Sequence, residues 1–256
     1  MTESNPLLFL ATENPIKGSF RLERPAPGVV AATTAGDGTP TNHKLTANED
    51  SLAVVALESS TTALIADAHF GPTSGEIAAR AFARIMLRNP ARSPDGLREL
   101  LIDLDRVIRA ERPADDSSET TAVAVSFTPR SIAWANVGDS VVFLAVPGRS
   151  IERLTPPGID FLGGSVPYAA ARDVGNLAMP FVECGSIAMP PGAVALMASD
   201  GIERAYSGMS EARLCQILLA SEPLEARVAR LMSEAGSANH GGGRDNLTVV
   251  AMTSVD

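Results

Sequence analysis

Residues 51–67 read SLAVVALESSTTALIAD. Two apolar runs, 51–58 and 61–67, flank the polar pair Ser59-Ser60, the pattern of a hairpin of two buried strands. The segment after the hairpin decides the fold class. Two helical patterns come in succession, with no strand between them. The first opens at Pro72-Thr73, where Thr73 and Glu76 have capping-box spacing and Ile77, Ala81 and Ile85 recur one turn apart. The second opens at Ser93-Pro94, a cap followed by proline at the first helical position. It sets Leu97, Leu100, Leu101, Leu104, Val107 and Ile108 on one face.

Working outward, 29–34 (VVAATT) reads as a strand that ends in the turn-rich AGDGTPTN at 35–42. Residues 1–28 read as an extension or a first edge strand. Downstream, 120–127, 131–137 and 141–146 read as an antiparallel meander, with turns at Thr128-Pro129-Arg130 and Gly138-Asp139-Ser140. Residues 147–192 hold seven prolines and seven glycines with little periodicity, and an irregular insert of that length is usually functional. Residues 193–199 read as a buried strand. Two helices come next, near 209–220 and 222–236, the second with Leu224, Val228, Leu231 and Met232 on one face, and 246–252 closes the chain as a strand. Strands run together and helices come in pairs. The expected class is therefore α+β, two packed antiparallel sheets flanked by pairs of helices. Residues 29–256 are expected to form a single domain, interrupted only by the 147–192 insert.

The chain has 256 residues, 45% of them hydrophobic and 20% charged, a globular profile. Aromatic residues are only 4%, so the core is built from Ala, Val, Leu, Ile and Met. The net charge of −9 excludes a nucleic acid or an anionic membrane held by bulk electrostatics. It leaves room for a phosphorylated ligand, because a metal site inverts the local sign. No apolar run approaches the ~18 residues that span a bilayer, and the acidic start MTESNPLLFL does not read as a signal peptide. Cys184 and Cys215 form no metal-ligand spacing and read as buried free thiols of a reducing, cytoplasmic compartment.

The chemistry lies where strands end. Asn48-Glu49-Asp50 opens one strand and Asp67 closes its partner. Gly138-Asp139 lies at a turn, Ser199-Asp200-Gly201 ends a buried strand, and Asp245-Asn246 opens the last one. One such aspartate is ordinarily a turn residue. Five of them at the strand ends of packed sheets can converge on one edge. Converging carboxylates repel, and a divalent cation offsets that repulsion. Hard oxygen donors without a Cys or His cluster point to Mn²⁺ or Mg²⁺.

Six ordered stretches then carry a resemblance. They are Asn48-Glu49-Asp50-Ser51, Asp67-Ala68-His69-Phe70-Gly71, Thr120-Thr121, Ala135-Asn136-Val137-Gly138-Asp139-Ser140, Ala198-Ser199-Asp200-Gly201, and the run from Gly242 to Val250. In these the chain resembles the metal-dependent serine/threonine protein phosphatases of type 2C, over roughly residues 28–254. The resemblance implies that Asp67 bridges two metal ions and that the Ala68 carbonyl binds the second. It implies that Asp200 and Asp245 complete the first, and that Glu49 and Asp50 hold metal-bound waters. Asp139 corresponds to a ligand of a third, weaker ion, and His69 to the general acid that protonates the leaving alkoxide, a role suited to its ordinary pKa of about 6.5. The 147–192 insert corresponds to the family's flap.

The chain departs from the family pattern in three places. Leu45 stands where the family has a phosphate-binding arginine, which leaves Lys44 as the substrate-phosphate candidate. Ala68 replaces a glycine, and Phe70 interrupts a His-Gly-Gly. The implied activity is two-metal hydrolysis of phosphoserine and phosphothreonine in proteins. The enzyme would be a cytoplasmic monomer opposing a serine/threonine kinase. A regulatory pseudophosphatase and a small-phosphoester hydrolase of the same fold are the alternatives.

Overall fold

The computed structural model describes residues 5–15, 18–36, 45–156, 158, 160–164, 181–203, 207–237 and 245–253. Two antiparallel sheets pack face to face, with a pair of helices on each outer side. The first sheet contains β1 (Leu7–Phe9), β4 (Asp50–Ala56), β5 (Thr61–His69), β7 (Ala122–Thr128), β8 (Ser131–Val137) and β11 (Glu183–Ala188), in the order β1-β4-β5-β7-β8-β11; the short β6 (Glu119–Thr120) pairs with the end of β5. The second contains β2 (Arg21–Ala26), β3 (Val29–Thr34), β9 (Val141–Ala145), β10 (Glu152–Arg153), β12 (Val194–Ala198) and β13 (Leu247–Thr253), in the order β10-β9-β12-β13-β3-β2. Helices α1 (Thr73–Arg88) and α2 (Pro94–Glu111) cover the first sheet. Helices α3 (Glu211–Leu218) and α4 (Leu224–Ser237) cover the second.

Three apolar layers result. Leu52, Val54, Ile65 and Val123 of the first sheet meet Ala31, Val142, Leu144, Met197 and Val250 of the second. Ala53, Leu64 and Ala124 turn outward onto Phe82, Met86, Leu97 and Leu101. Val30, Leu196 and Val249 turn outward onto Leu214, Ile217, Val228 and Leu231. The central strands are buried on both faces, which is why they read as continuous apolar runs and not as alternating ones.

The structure corrects several readings. β8 pairs with β7 and β11, whereas β9 pairs with β10 and β12. Gly138-Asp139-Ser140 is thus a crossover between sheets and not a hairpin turn. A strand that is apolar on both faces does not record which sheet it joins. At the start of α1 no capping box forms. Pro72 is the N-cap without a side-chain bond, and Glu76 Oε1 instead accepts the Thr12 N–H at 3.0 Å and its hydroxyl at 2.5 Å. Ser93 does cap α2, accepting the Gly96 N–H at 3.1 Å. The insert is not wholly irregular, since it carries β10 and β11. Gly185 in β11 leaves space for Trp134 of β8, whose ring lies 2.5 Å from where a Cβ would sit. The first 28 residues supply β1 and β2, one edge strand to each sheet. Neither cysteine is buried: Cys184 is exposed on β11, and Cys215 on α3 is half-buried. Thiol burial is a poor expectation for a residue on an edge strand or on the outer side of a covering helix. No helix among the described residues is long and apolar enough to cross a membrane.

Candidate metal centre

The site is built where the two sheets meet. β4 and β5 are in register with Asp50 directly opposite Asp67, and both side chains are 1% exposed. The second sheet reaches this point through β12 and β13. Ser199, at the end of β12, donates its hydroxyl to Asp50 Oδ2 at 2.7 Å and accepts the Thr248 N–H at 3.0 Å. Asn246, at the start of β13, accepts the Glu49 N–H at 2.9 Å. Two hydrogen bonds therefore stitch the acidic end of one sheet to the acidic end of the other. Gly201 completes the seam: a Cβ there would stand 2.0 Å from the Asn246 carbonyl oxygen. That close approach sets Asp200 beside Asp245-Asn246. The crossover that carries Asp139 joins through Thr121, whose N–H donates to the Asp67 carbonyl at 2.9 Å and whose hydroxyl lies 3.1 Å from that of Ser140.

Asp50, Asp67, Asp139, Asp200 and Asp245 thus belong to one edge of the sandwich. Among the described residues, no group of three or more His, Cys, Asp or Glu side chains stands close enough to hold a metal ion as it is placed. The donor chemistry, carboxylates and backbone carbonyls alone, fits a hard divalent cation.

Glu49 is fully buried and acts as a fastener. Its Oε1 accepts the N–H groups of Leu45 at 2.5 Å and Thr46 at 2.8 Å, and its Oε2 accepts the Gly71 N–H at 3.2 Å. Ala68 lies in strand conformation within β5 and its N–H donates to the Glu49 carbonyl at 3.3 Å. The loss of glycine at this position therefore costs no backbone strain. The strain falls instead on Phe70, the one described non-glycine residue with positive φ, at 60°. Phe70 is 38% exposed.

His69 ends β5 opposite Glu119 of β6. Its ring lies against Phe161, centroids 5.0 Å apart and planes inclined by 54°. Burial pushes the Glu119 carboxyl above its usual range, against the opposing pull of His69 and Arg112. Phe161 is placed by the end of α2. Asp105, 6% exposed, accepts the Gly163 N–H at 2.7 Å and the Arg109 Nε–H at 2.8 Å. Arg112 Nη1 donates to the Gly163 carbonyl at 2.7 Å and to that of Ser118, and Arg109 Nη1 donates to Gly164 O at 3.1 Å. Leu162 exchanges backbone hydrogen bonds with Thr120 at 2.8 and 3.1 Å. Gly163 has φ 73° and a Cβ there would meet Ile108 at 2.5 Å, so glycine is required. The foot of the insert is clamped to α2.

Lys44, the substrate-phosphate candidate, lies outside the described residues, as do Gly242 to Arg244. Sequence reasoning missed Ser199, Asn246, Glu119, Phe161 and the Asp105–Arg109–Arg112 cluster. Ser199 and Asn246 adjoin Asp200 and Asp245, and their sequence neighbours give no sign of what they meet across the seam. The arginines stand at the end of α2, and nothing in their spacing signals a partner more than fifty residues away.

Comparison with known proteins agrees with this architecture. The family model for stage II sporulation protein E (SpoIIE) matches residues 73–254. No curated protein sequence matches the chain. Among solved structures, a bacterial serine phosphatase superposes with a TM-score of 0.68 at 14% identity, covering 89% of this chain and 97% of its own. The catalytic domain of the serine/threonine protein phosphatase PstP, in complex with two manganese ions, gives 0.64 at 21% identity, covering 93% and 100%. The Ser-Thr phosphatase MsPP from Mycobacterium smegmatis, with cacodylate, gives 0.62 at 22% identity, covering 89% and 98%.

Proposed function

Because the chain belongs to the SpoIIE family and has the fold of the type 2C phosphatases, we propose that it is a metal-dependent phosphatase acting on phosphoserine and phosphothreonine in proteins. One observation supports the reading: Asp50 faces Asp67 across β4 and β5, and the hydrogen bonds of Ser199 to Asp50 and of Glu49 to Asn246 join that strand end to the strand ends beside Asp200 and Asp245. Asp67, the Ala68 carbonyl, Asp200 and Asp245 would hold two divalent cations, Mn²⁺ or Mg²⁺, with Asp139 available to a third. Bound there, the cations lower the pKa of the attacking water and offset the phosphoryl charge.

The remaining roles fall to the chain itself. Asp50, fixed by Ser199, orients water at the metal edge. Glu49 holds the two loops that border it. His69 carries the proton that the leaving serine or threonine oxygen needs, and Phe161 and Glu119 set its position on the sheet edge. Lys44 is the candidate for the substrate phosphate.

The test is hydrolysis of a phosphothreonine peptide and of para-nitrophenyl phosphate, with Mn²⁺ and with chelator. Mn²⁺-dependent release from the peptide is the expected result. Release from the small ester alone would replace protein substrates with small ones. Release from neither, with metal binding measured by calorimetry, would make the chain a regulatory pseudophosphatase.

A further inference from the structure

Asp105 stands among Leu101, Leu104 and Ile108 on the buried side of α2 and is the one charged residue there. A buried carboxylate is costly unless it is paired, and an apolar residue of similar volume often serves packing equally well. Folding alone therefore does not call for an aspartate at this position. Its two oxygens have two partners: one accepts the Gly163 N–H at 2.7 Å, the other the Arg109 Nε–H at 2.8 Å. Arg112, a further turn along the helix, donates to the Gly163 carbonyl at 2.7 Å. Both backbone polar groups of Gly163 are thus held by α2, and the absence of a Cβ lets that backbone lie directly on Ile108.

What the clamp holds reaches the proton donor. Phe161, two residues before Gly163, sets its ring 5.0 Å from that of His69. Between them in the chain, Leu162 forms an isolated bridge with Thr120, and the neighbouring Glu119 lies opposite His69 across β5 and β6. One bridge fixes a segment at one point only. The Gly163 contacts to α2 supply the second point, so the placing of Phe161 on His69 depends on a helix of the outer layer. Position matters at this ring. A proton donor works only within hydrogen-bond reach of the oxygen it serves, and a misplacement of about 1 Å costs about a hundredfold in rate.

We propose that Asp105 is a positioning residue for the leaving-group step, holding Phe161 against His69 through Gly163. The proposal rests on the phosphatase reading, with His69 as the proton donor, and adds a residue of α2 to it. The experiment compares two substrates with Mn²⁺ present. A phosphothreonine peptide releases an alkoxide that must be protonated as the P–O bond breaks. Para-nitrophenyl phosphate releases a stabilised phenolate that leaves without a proton. In Asp105→Ala the kcat for the peptide should fall about tenfold further than the kcat for the ester, with KM for the peptide changed by less than about twofold. Phe161→Leu, which leaves the clamp in place, should show the same imbalance, and His69→Ala a larger one. An equal fall on both substrates in Asp105→Ala would make its role structural and overturn the proposal. So would an unchanged ratio in Phe161→Leu, whatever the stability of Asp105→Ala. An imbalance in His69→Ala alone would overturn the positioning role and leave the phosphatase reading standing. Hydrolysis of neither substrate by the unaltered chain would overturn both.

Discussion

Asp50 and Asp67 face each other across β4 and β5 at the acidic edge, two buried carboxylates in one cross-strand pair. Like charges placed directly opposite are destabilising by up to about 1 kcal/mol. Asp67→Asn should therefore raise the melting temperature of the metal-free protein by about 2–4 °C, while abolishing both turnover and the stabilisation that Mn²⁺ gives the parent chain. Melts with and without Mn²⁺ check both halves. A variant that is still stabilised by Mn²⁺ would remove Asp67 from the ligand set.

Ser199 links the sheets by donating to Asp50 and accepting from Thr248. Ser199→Ala strips a hydroxyl from two buried partners at once, at a cost of about 2–3 kcal/mol. Urea unfolding should show that loss as an earlier midpoint with an unchanged slope. Manganese affinity should fall as well, because Asp50 loses the group that orients it.

Gly201 allows β12 and β13 to close on one another. Gly201→Ala would push a methyl into the Asn246 carbonyl, backbone against backbone, and should cost about 3 kcal/mol or more. A melting temperature within a degree of the parent would show that the seam is looser than this geometry.

Arg112 donates to the Gly163 carbonyl in the insert and to the Ser118 carbonyl ahead of β6. Arg112→Ala should cost about 2 kcal/mol and release residues 161–164, so that limited proteolysis cuts there first. With Phe161 no longer fixed on His69, kcat should fall more than KM changes. A loss confined to stability would make the clamp purely structural.

Asp116 accepts the Ser118 N–H at 2.7 Å, and Ser118 in turn holds Ser74 at the start of α1. Burial raises the Asp116 pKa, but the hydrogen bonds from Ser118 and Thr73 outweigh it and hold the carboxyl below the usual aspartate range. A lowered folded-state pKa contributes stability above the unfolded value, and that stability is lost as pH falls through the folded one. The melting-temperature gap between the parent and Asp116→Asn should be constant above about pH 5 and close below the ordinary value of an aspartate, about pH 3.9. Thermal melts across that range decide it.

The elements were largely legible in the sequence, and their partners were not. The α2 stripe from Leu97 to Ile108 announces itself by periodicity, and Ser93 caps where its spacing says it should. Strand pairing is different. VVFLAV at 141–146 is apolar on both faces, so nothing local tells β9 to leave the first sheet for the second. Glu76 illustrates the same limit: its spacing fits a local cap, but a hydroxyl sixty-four residues earlier competes for it and wins. At the site, the aspartates stand out because acids at the ends of apolar runs are conspicuous. Ser199 and Asn246 matter through what they touch across the seam, and a linear reading carries no record of that.

β2 has further consequences as the outer strand of the second sheet. It carries Arg21, Glu23 and Arg24, a register shift between Glu23 and Ala26, and Pro25, which has no N–H to offer. Arg24 is also drawn sideways to Glu225 on α4, at 3.2 Å. A strand so charged, kinked and short of donors is a poor template for another molecule's backbone. The three-residue β1 covers β4 on the other sheet in the same way. A chain beginning at residue 29 would bare β3 and β4, each apolar on both faces, and the sandwich would acquire two self-complementary edges open to fibre-like stacking. β1 and β2 therefore cover two backbone edges as well as completing the sheets.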